Sequence, residues 1–429
     1  MTTTTERVLL ISTLYPPNVV GGAEIVVRNL AEGLVRAGHQ VCVVTLARRG
    51  WAQNRIEAGV SVHEFAMRCR HWPFAGDRAS GARRLLWHVI DNFDPDFYRH
   101  LRAVVQDFAP TVVNSHNING LTPAVWLSSR HACDAPIIHT CHDYGLLCSR
   151  TTMFNHGRAC RSCCATCRVL TAGKRYLTRW VDGAIGVSEA VLAPHLERRL
   201  FARGCLTGVI HNANAPEAAP GPAEPPQVAR DASPGDMPLR VGFMGRLSAA
   251  KGILLLLDEL ARLDGGVMLK AAGRGDTRLV AELAAARGVP CELPGFVVPS
   301  LFYQDVDLLV VPSLWREPLG MVVLEAYGHG VPVIVSNRGG LPELVRDGQG
   351  GFVFDPDRPG DLARIIRRLR DDRDALRTAA AAAVTAGAGF TVAGMVDDYL
   401  AFYREVRGRM SARSARERSA EAHCTRPAS

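Results

Sequence analysis

The chain has 429 residues, 47% hydrophobic and 21% charged, which is the length of two domains with sizeable cores and the composition of a globular protein. No apolar run reaches the roughly 18 residues of a membrane span, and the start, Met1-Thr2-Thr3-Thr4-Thr5-Glu6-Arg7, lacks the pattern of a secretory signal, so a cytoplasmic location is expected. The net charge of +8 admits an anionic substrate or membrane surface, yet only three of the 50 Lys+Arg are lysines, so a general preference for arginine accounts for it and nucleic acid is not expected.

Residues 7–13 read as a first strand. Tyr15-Pro16-Pro17 then leads to Gly21-Gly22-Ala23-Glu24, where a helix over 23–37 begins, with Val26, Val27, Leu30 and Leu34 on one face. Two glycines at a helix start let a ligand approach free backbone N–H groups; a plain glycine turn is the structural alternative. Further strands are predicted at 41–46, 60–65, 111–115, 136–140, 183–187 and 208–211, mostly with helices between them. Asp94-Pro95-Asp96 falls in a helical stretch and reads as structural. His142, in His139-Thr140-Cys141-His142-Asp143-Tyr144, either faces a ligand or is packed. Trp72, Pro73 and Phe74 could stack on an acceptor, and Arg83, Arg84, Lys174 and Arg175 could touch an anionic membrane.

Seven prolines and hardly a large apolar residue mark 213–238 as a linker. Alternation resumes at 239–244, with strands near 267–271, 307–311, 331–335 and 351–354. The predicted organisation is one α/β domain over 1–212, the linker, and a second over 239–390. A closing helix over 391–408 crosses back, and a disordered basic tail covers 409–429. Ligands of such sheets bind beyond the carboxyl ends of the strands, so the site is expected in the cleft between the domains.

The second domain holds the denser motifs. Arg246 and Lys251 bracket the loop Gly245-Arg246-Leu247-Ser248-Ala249-Ala250-Lys251-Gly252, where two cations can flank a diphosphate. Lysine is rare enough here for Lys251 to stand out. Gly273-Arg274-Gly275-Asp276 is a glycine turn beside the same cleft. Asp305-Val306-Asp307 enters a hydrophobic strand and reads as structural. After that strand, Glu317 lies in a loop and Glu325 lies eight positions on, inside a helix opened by Gly320 and Met321. The helix start suits a phosphate and the carboxylates suit sugar hydroxyls, so the segment fits a nucleotide-sugar.

Together these motifs resemble the retaining GT-B glycosyltransferases of family 4, over about 7–407 and most specifically over 241–354. The resemblance implies an α/β GT-B fold, with two facing Rossmann-like domains and an inter-domain cleft. It implies that Arg246 and Lys251, with Gly245 beside them, hold the diphosphate of a nucleotide-diphosphate sugar, and that Gly320 and Met321 add backbone amides. Glu325 would bind ribose hydroxyls, Glu317 and His142 the donor sugar, and Gly22 would approach the diphosphate from the other domain. The acceptor would be a glycan, a lipid-linked saccharide or a small molecule. His211-Asn212-Ala213-Asn214-Ala215 replaces the usual Asn-Gly-Val-Asp at the hinge, and Leu319 replaces a phenylalanine. No catalytic metal is expected, because fixed cations can stabilise the departing diphosphate as a divalent ion does elsewhere. A sugar-nucleotide epimerase or hydrolase of the same architecture, or a non-catalytic binding protein, are the other readings.

Five of the 12 cysteines fall between Cys148 and Cys167. Cys148, Cys160, Cys163 and Cys167 have the spacing of a tetrahedral structural zinc; a redox pair or unligated thiols are the alternatives.

Overall fold

The computed structural model describes residues 5–48, 52–67, 94–155, 157–160, 162–213 and 237–424. Trp72, Pro73, Phe74, Arg83, Arg84 and nearly all of the linker lie outside them. The first half contains β1 (Arg7–Ile11), α1 (Gly22–Arg36), β2 (Gln40–Ala47), β3 (Asn54–Glu57), β4 (Val60–Ala66), α2 (Pro95–Phe108), β5 (Val112–Ser115), α3 (Ala124–Ala132) and β6 (Ile137–Cys141). It continues with the hairpin β7 (Phe154–Asn155) and β8 (Arg158–Ala159), α4 (Ala165–Leu170), α5 (Ala172–Leu177), β9 (Gly183–Gly186), α6 (Glu189–Glu197) and β10 (Leu206–Val209). The second half opens with β11 (Leu239–Met244), α7 (Ile253–Leu260), β12 (Val267–Ala272), α8 (Thr277–Ala286), β13 (Cys291–Gly295), α9 (Pro299–Gln304), β14 (Leu308–Val311) and α10 (Met321–Gly328). It closes with β15 (Val333–Ser336), α11 (Leu341–Leu344), β16 (Arg346–Asp347), β17 (Gly350–Phe354), α12 (Asp361–Asp371), α13 (Arg373–Gly387) and α14 (Val392–Cys424).

Two sheets result, ordered β10-β9-β6-β5-β1-β2-β4-β3 and β13-β12-β11-β14-β15-β17-β16. Within them every pairing among the described residues is parallel except β3 with β4. Helices cover both faces of a parallel sheet, so its strands are continuously apolar, as in Leu308-Leu309-Val310-Val311, buried at every position. In both sheets the strand order reverses beside the first strand, between β1 and β5 and between β11 and β14. These switch points open the crevices where ligands of doubly wound sheets sit. The expected pair of facing Rossmann-like domains is the observed architecture. One apolar cluster runs from Val113 and Tyr144 in the first half to Leu319 and Leu341 in the second, so the halves are packed together.

The structure departs from expectation at the edges. The unpredicted β3, Asn-Arg-Ile-Glu, is an exposed charged edge strand, where Arg55 pairs with Glu57 and Glu64. Edge strands of this kind carry no apolar alternation to read and resist pairing with other chains. The strand expected at 208–211 lies at Leu206–Val209. α14 does not stop near Arg407; the disordered tail expected from Arg409 is helical to Cys424, in a stretch rich in the strong helix formers Ala, Arg and Glu.

α14 packs on the first domain. Asn114 Nδ2 donates to Tyr403 Oη at 2.8 Å, and Arg407 pairs with Glu6 at 2.6 Å. Glycines make room for it: a Cβ on Gly183 would stand 2.8 Å from Val406 and 2.9 Å from Phe402. Gly183→Val should therefore push α14 off β9 at a cost of about 1–3 kcal/mol, the range for overpacking. Thermal unfolding will show this as a midpoint lowered by several degrees; an unchanged midpoint would mean that α14 is not held there.

Candidate functional site

On the second domain the site is built from two loops at the switch point. The loop after β11 carries Gly245, Arg246 and Lys251; the loop after β14 carries Glu317. Glycines let them touch: a Cβ on Gly252 would fall 1.8 Å from Pro312 O, and Leu314 N donates to Ala250 O at 2.9 Å. Gly245 itself has φ +148°, and a Cβ on Gly273 would fall 1.9 Å from Gly245 O, so Gly273-Arg274-Gly275 packs under the same loop.

Lys251 Nζ donates to both oxygens of Glu317 at 2.8 Å. Glu317 also accepts from Ser313 Oγ at 3.0 Å and Trp315 Nε1 at 2.8 Å, and is 8% exposed. The carboxylate expected to be open to a sugar is thus engaged with the lysine expected on the diphosphate. Arg246 is exposed and has no ion-pair partner among the described residues. Gly320, at φ +104°, turns the chain into α10, whose first residue is Met321. One turn on, Glu325 Oε2 lies 3.2 Å from Tyr303 Oη, a buried phenol that stacks on His329. Sequence reasoning missed Tyr303, which stands 22 positions from its partner.

The first domain contributes the start of α1 and the ends of β5 and β6. Gly21 N donates to Glu24 Oε2 at 2.8 Å, which leaves the N–H groups after it for a ligand. Burial, together with the charge of Asp143, holds the Glu24 carboxyl above its ordinary value. His142 is 7% exposed and its Nε2 lies 2.9 Å from Nδ1 of the fully buried His116. His116 was not singled out by the sequence, because it sits at the end of a different strand. His142 therefore points largely into the domain.

The two domains meet across this site. A Cβ on Gly22 would stand 2.7 Å from Met321 Cγ, so the starts of α1 and α10 face each other closely. Ser188 Oγ donates to Pro318 O. Glu343 accepts from the N–H groups of Glu189 and Ala190, both at 2.8 Å, and lies 3.3 Å from His211 Nε2. Burial alone would raise the Glu343 carboxyl, but these bonds hold it below its ordinary value. The two Asp-x-Asp triplets are occupied structurally: Asp94 caps α2, Asp305 pairs with Lys270, and Asp307 accepts from Arg240 N.

In the cysteine segment, Cys148 Sγ and Cys167 Sγ lie 3.8 Å apart, and Cys160 and Cys163 are half-buried against the same apolar core. Among the described residues no three His, Cys, Asp or Glu side chains gather closely enough to enclose an ion. Of the four sulfurs expected from spacing, the structure brings only that pair close together.

Two family models match the chain: the "Glycosyl transferase 4-like domain" over residues 21–210 and "Glycosyl transferases group 1" over 238–372. Glycogen synthase of Mycobacterium tuberculosis is similar, 28% identical over 394 residues that cover 88% of this chain and 89% of that protein. Among solved structures, sucrose-phosphate synthase from Thermosynechococcus elongatus has a TM-score of 0.73 at 20% identity, with 94% and 99% of the two chains covered. HepE of Anabaena, solved in complex with UDP, has a TM-score of 0.64 at 19% identity over 93% and 99%. At these identities the structural likeness shows the fold. No single helix among the described residues is long and apolar enough to cross a membrane.

Buried histidines behind the site predict a pH dependence. Burial lowers His139 to about 3, His142 and His195 to about 4, and His116 well below its ordinary value. Between about 4 and 6.5 the unfolded chain binds protons on these groups that the folded chain refuses, so stability falls as pH falls through that window. Asp143, raised by burial from 3.8 to about 6, acts in the opposite direction between those values. Four groups outweigh one. The thermal midpoint should drop on acidification from pH 6.5, and His195→Gln should flatten the slope by up to about 1.4 kcal/mol per pH unit. An unaltered slope in that variant would contradict the assignment.

Proposed function

The chain is a hexosyl-type glycosyltransferase of GT-B architecture, and from that premise we infer that it moves a sugar from a nucleotide-diphosphate donor to a hydroxyl acceptor with retention of configuration. The observation that carries this is the apposition of Gly22 and Met321. Two helix starts face each other, Gly22 bare and only the Met321 side chain packed against it, each presenting N–H groups and a positive dipole end to the space beside that contact. A diphosphate is the group that such a volume suits, and the UDP bound by HepE is in keeping with it. Arg246 supplies the free cation beside that volume. Lys251 supplies a second, aimed by Glu317, Ser313 and Trp315. Glu325, steadied by Tyr303, takes the ribose hydroxyls.

Chemistry follows from where charge develops. As the bond between the sugar's anomeric carbon and the β-phosphate oxygen breaks, negative charge grows on the diphosphate and positive charge on the ring. Fixed donors at the phosphate stabilise this without rearranging. The acceptor oxygen then bonds to the same face of the anomeric carbon, and the departing phosphate takes its proton. No protein nucleophile and no catalytic metal are needed. An epimerase or hydrolase would want a cleft carboxylate free to exchange protons, whereas Glu317 is engaged by Lys251, Ser313 and Trp315.

Calorimetric titration tests the donor site without knowledge of the acceptor. Wild-type protein should bind UDP or ADP more tightly than the matching nucleoside. Arg246→Met, a change at an exposed residue, should weaken diphosphate binding by about 10–100-fold, as loss of a charged hydrogen bond does, and leave nucleoside binding unchanged. Equal binding of diphosphate by the variant would overturn the assignment.

The cysteine segment is proposed to hold a structural zinc through Cys148, Cys160, Cys163 and Cys167. Zinc–sulfur bonds of about 2.3 Å in a tetrahedron place sulfurs roughly 3.8 Å apart, the separation of Cys148 and Cys167. α4, which carries Cys167, buries none of its residues, so apolar packing alone does little to fix that helix. Elemental analysis of protein purified without added metal should find about one zinc per chain, reduced in Cys148→Ser. A metal-free wild-type protein with an unchanged melting point would reject the site.

A further inference from the structure

A second concavity, of about 690 Å3, opens on the first domain. Arg168 and Val169 of α4, Arg175 and Tyr176 of α5, and Arg198 and Arg199 just past α6 line it. It lies apart from the donor cleft. Glu343 of the second domain touches the first residue of α6, and the nine residues of that helix put Arg198 about 13 Å further on.

Charge and exposure here differ from the rest of the surface. Exposed arginines elsewhere commonly sit beside a carboxylate, as Arg278 does with Glu282, Arg364 with Asp361 and Arg377 with Asp374. Arg168, Arg175 and Arg199 have no such partner among the described residues. Between them stand large apolar side chains in water: Val169 is 73% exposed and Tyr176 61%. The Arg179 guanidinium lies 3.7 Å over the Tyr176 ring, which adds a fifth arginine beside the four that line the concavity. A small dissolved anion would be satisfied by the guanidiniums alone and gives no role to bare Val169 and Tyr176. A bilayer surface uses both, since phosphate oxygens meet the guanidiniums while the apolar tips enter the boundary beneath the headgroups.

We propose that this basin docks the protein on an anionic phospholipid surface. The docking face is separate from the diphosphate site, so either can fail experimentally without the other.

Sedimentation of the full chain with vesicles tests it. The protein should bind phosphatidylglycerol-containing vesicles and not pure phosphatidylcholine, with binding weakened by salt. The triple variant Arg168→Glu, Arg175→Glu, Arg199→Glu should bind at least about tenfold less, since each basic residue near such a surface contributes separately. Val169→Ser with Tyr176→Ser should lower binding further at high salt, where the apolar part dominates. A control with the same charge change elsewhere, Arg278→Glu, Arg346→Glu, Arg368→Glu, should bind like wild type, and cooperative thermal unfolding of each variant checks that it is folded. Three results would overturn the proposal. These are wild type ignoring anionic vesicles, the control triple losing as much as the basin triple, and soluble glycerol phosphate occupying the basin and displacing the vesicles completely.

Discussion

Lys251 and Glu317 hold the candidate site together. Their contact joins the loop after β11 to the loop after β14, and both side chains are largely withdrawn from water. A buried ion pair of this kind is costly to break by removing one partner, since the other is left charged and unmatched; about 3–5 kcal/mol is typical. Ser313 and Trp315 complete the satisfaction of Glu317, so the pair has a definite geometry. A lysine held on one side by a carboxylate still presents positive charge on the other, so the same contact that braces the loops also aims a cation.

Backbone proximity prepares that contact. Gly252 lies against Pro312, Gly273 against Gly245, and Gly339 against Glu317 itself, each with a positive φ and no room for a Cβ. The loops are therefore layered main chain upon main chain. A residue with a side chain at any of these places would part them by more than the reach of a hydrogen bond.

Much of this was legible in the sequence. Continuous apolar strands announced the parallel sheets, and the glycine-punctuated loops with Arg246, Lys251, Glu317 and Glu325 announced the switch-point crevice. What could not be read was partnership. Nothing in the order of residues says that Glu317 turns to Lys251, 66 positions away, or that His142 turns to His116. The rarity of lysine was also less specific than it looked. Lys174 and Lys270 are likewise buried on polar partners, Lys174 on Asn119 and Lys270 on Asp305 and Glu292. A compact ammonium suits such places generally, in the core as well as at the site. The charged edge strand β3 escaped because its stability comes from pairing and ion pairs, which leave no periodic trace.

Glu343 has one further consequence. It belongs to the second domain, yet it ties down the first two amides of a helix in the first. The start of α6 is thus finished by a foreign carboxylate, with Ser188 reaching across in return to Pro318. Should the two lobes swing apart, α6 would fray at that end while its other end still carried Arg198 and Arg199. Separation of the lobes would thereby loosen one end of a nine-residue helix in the first.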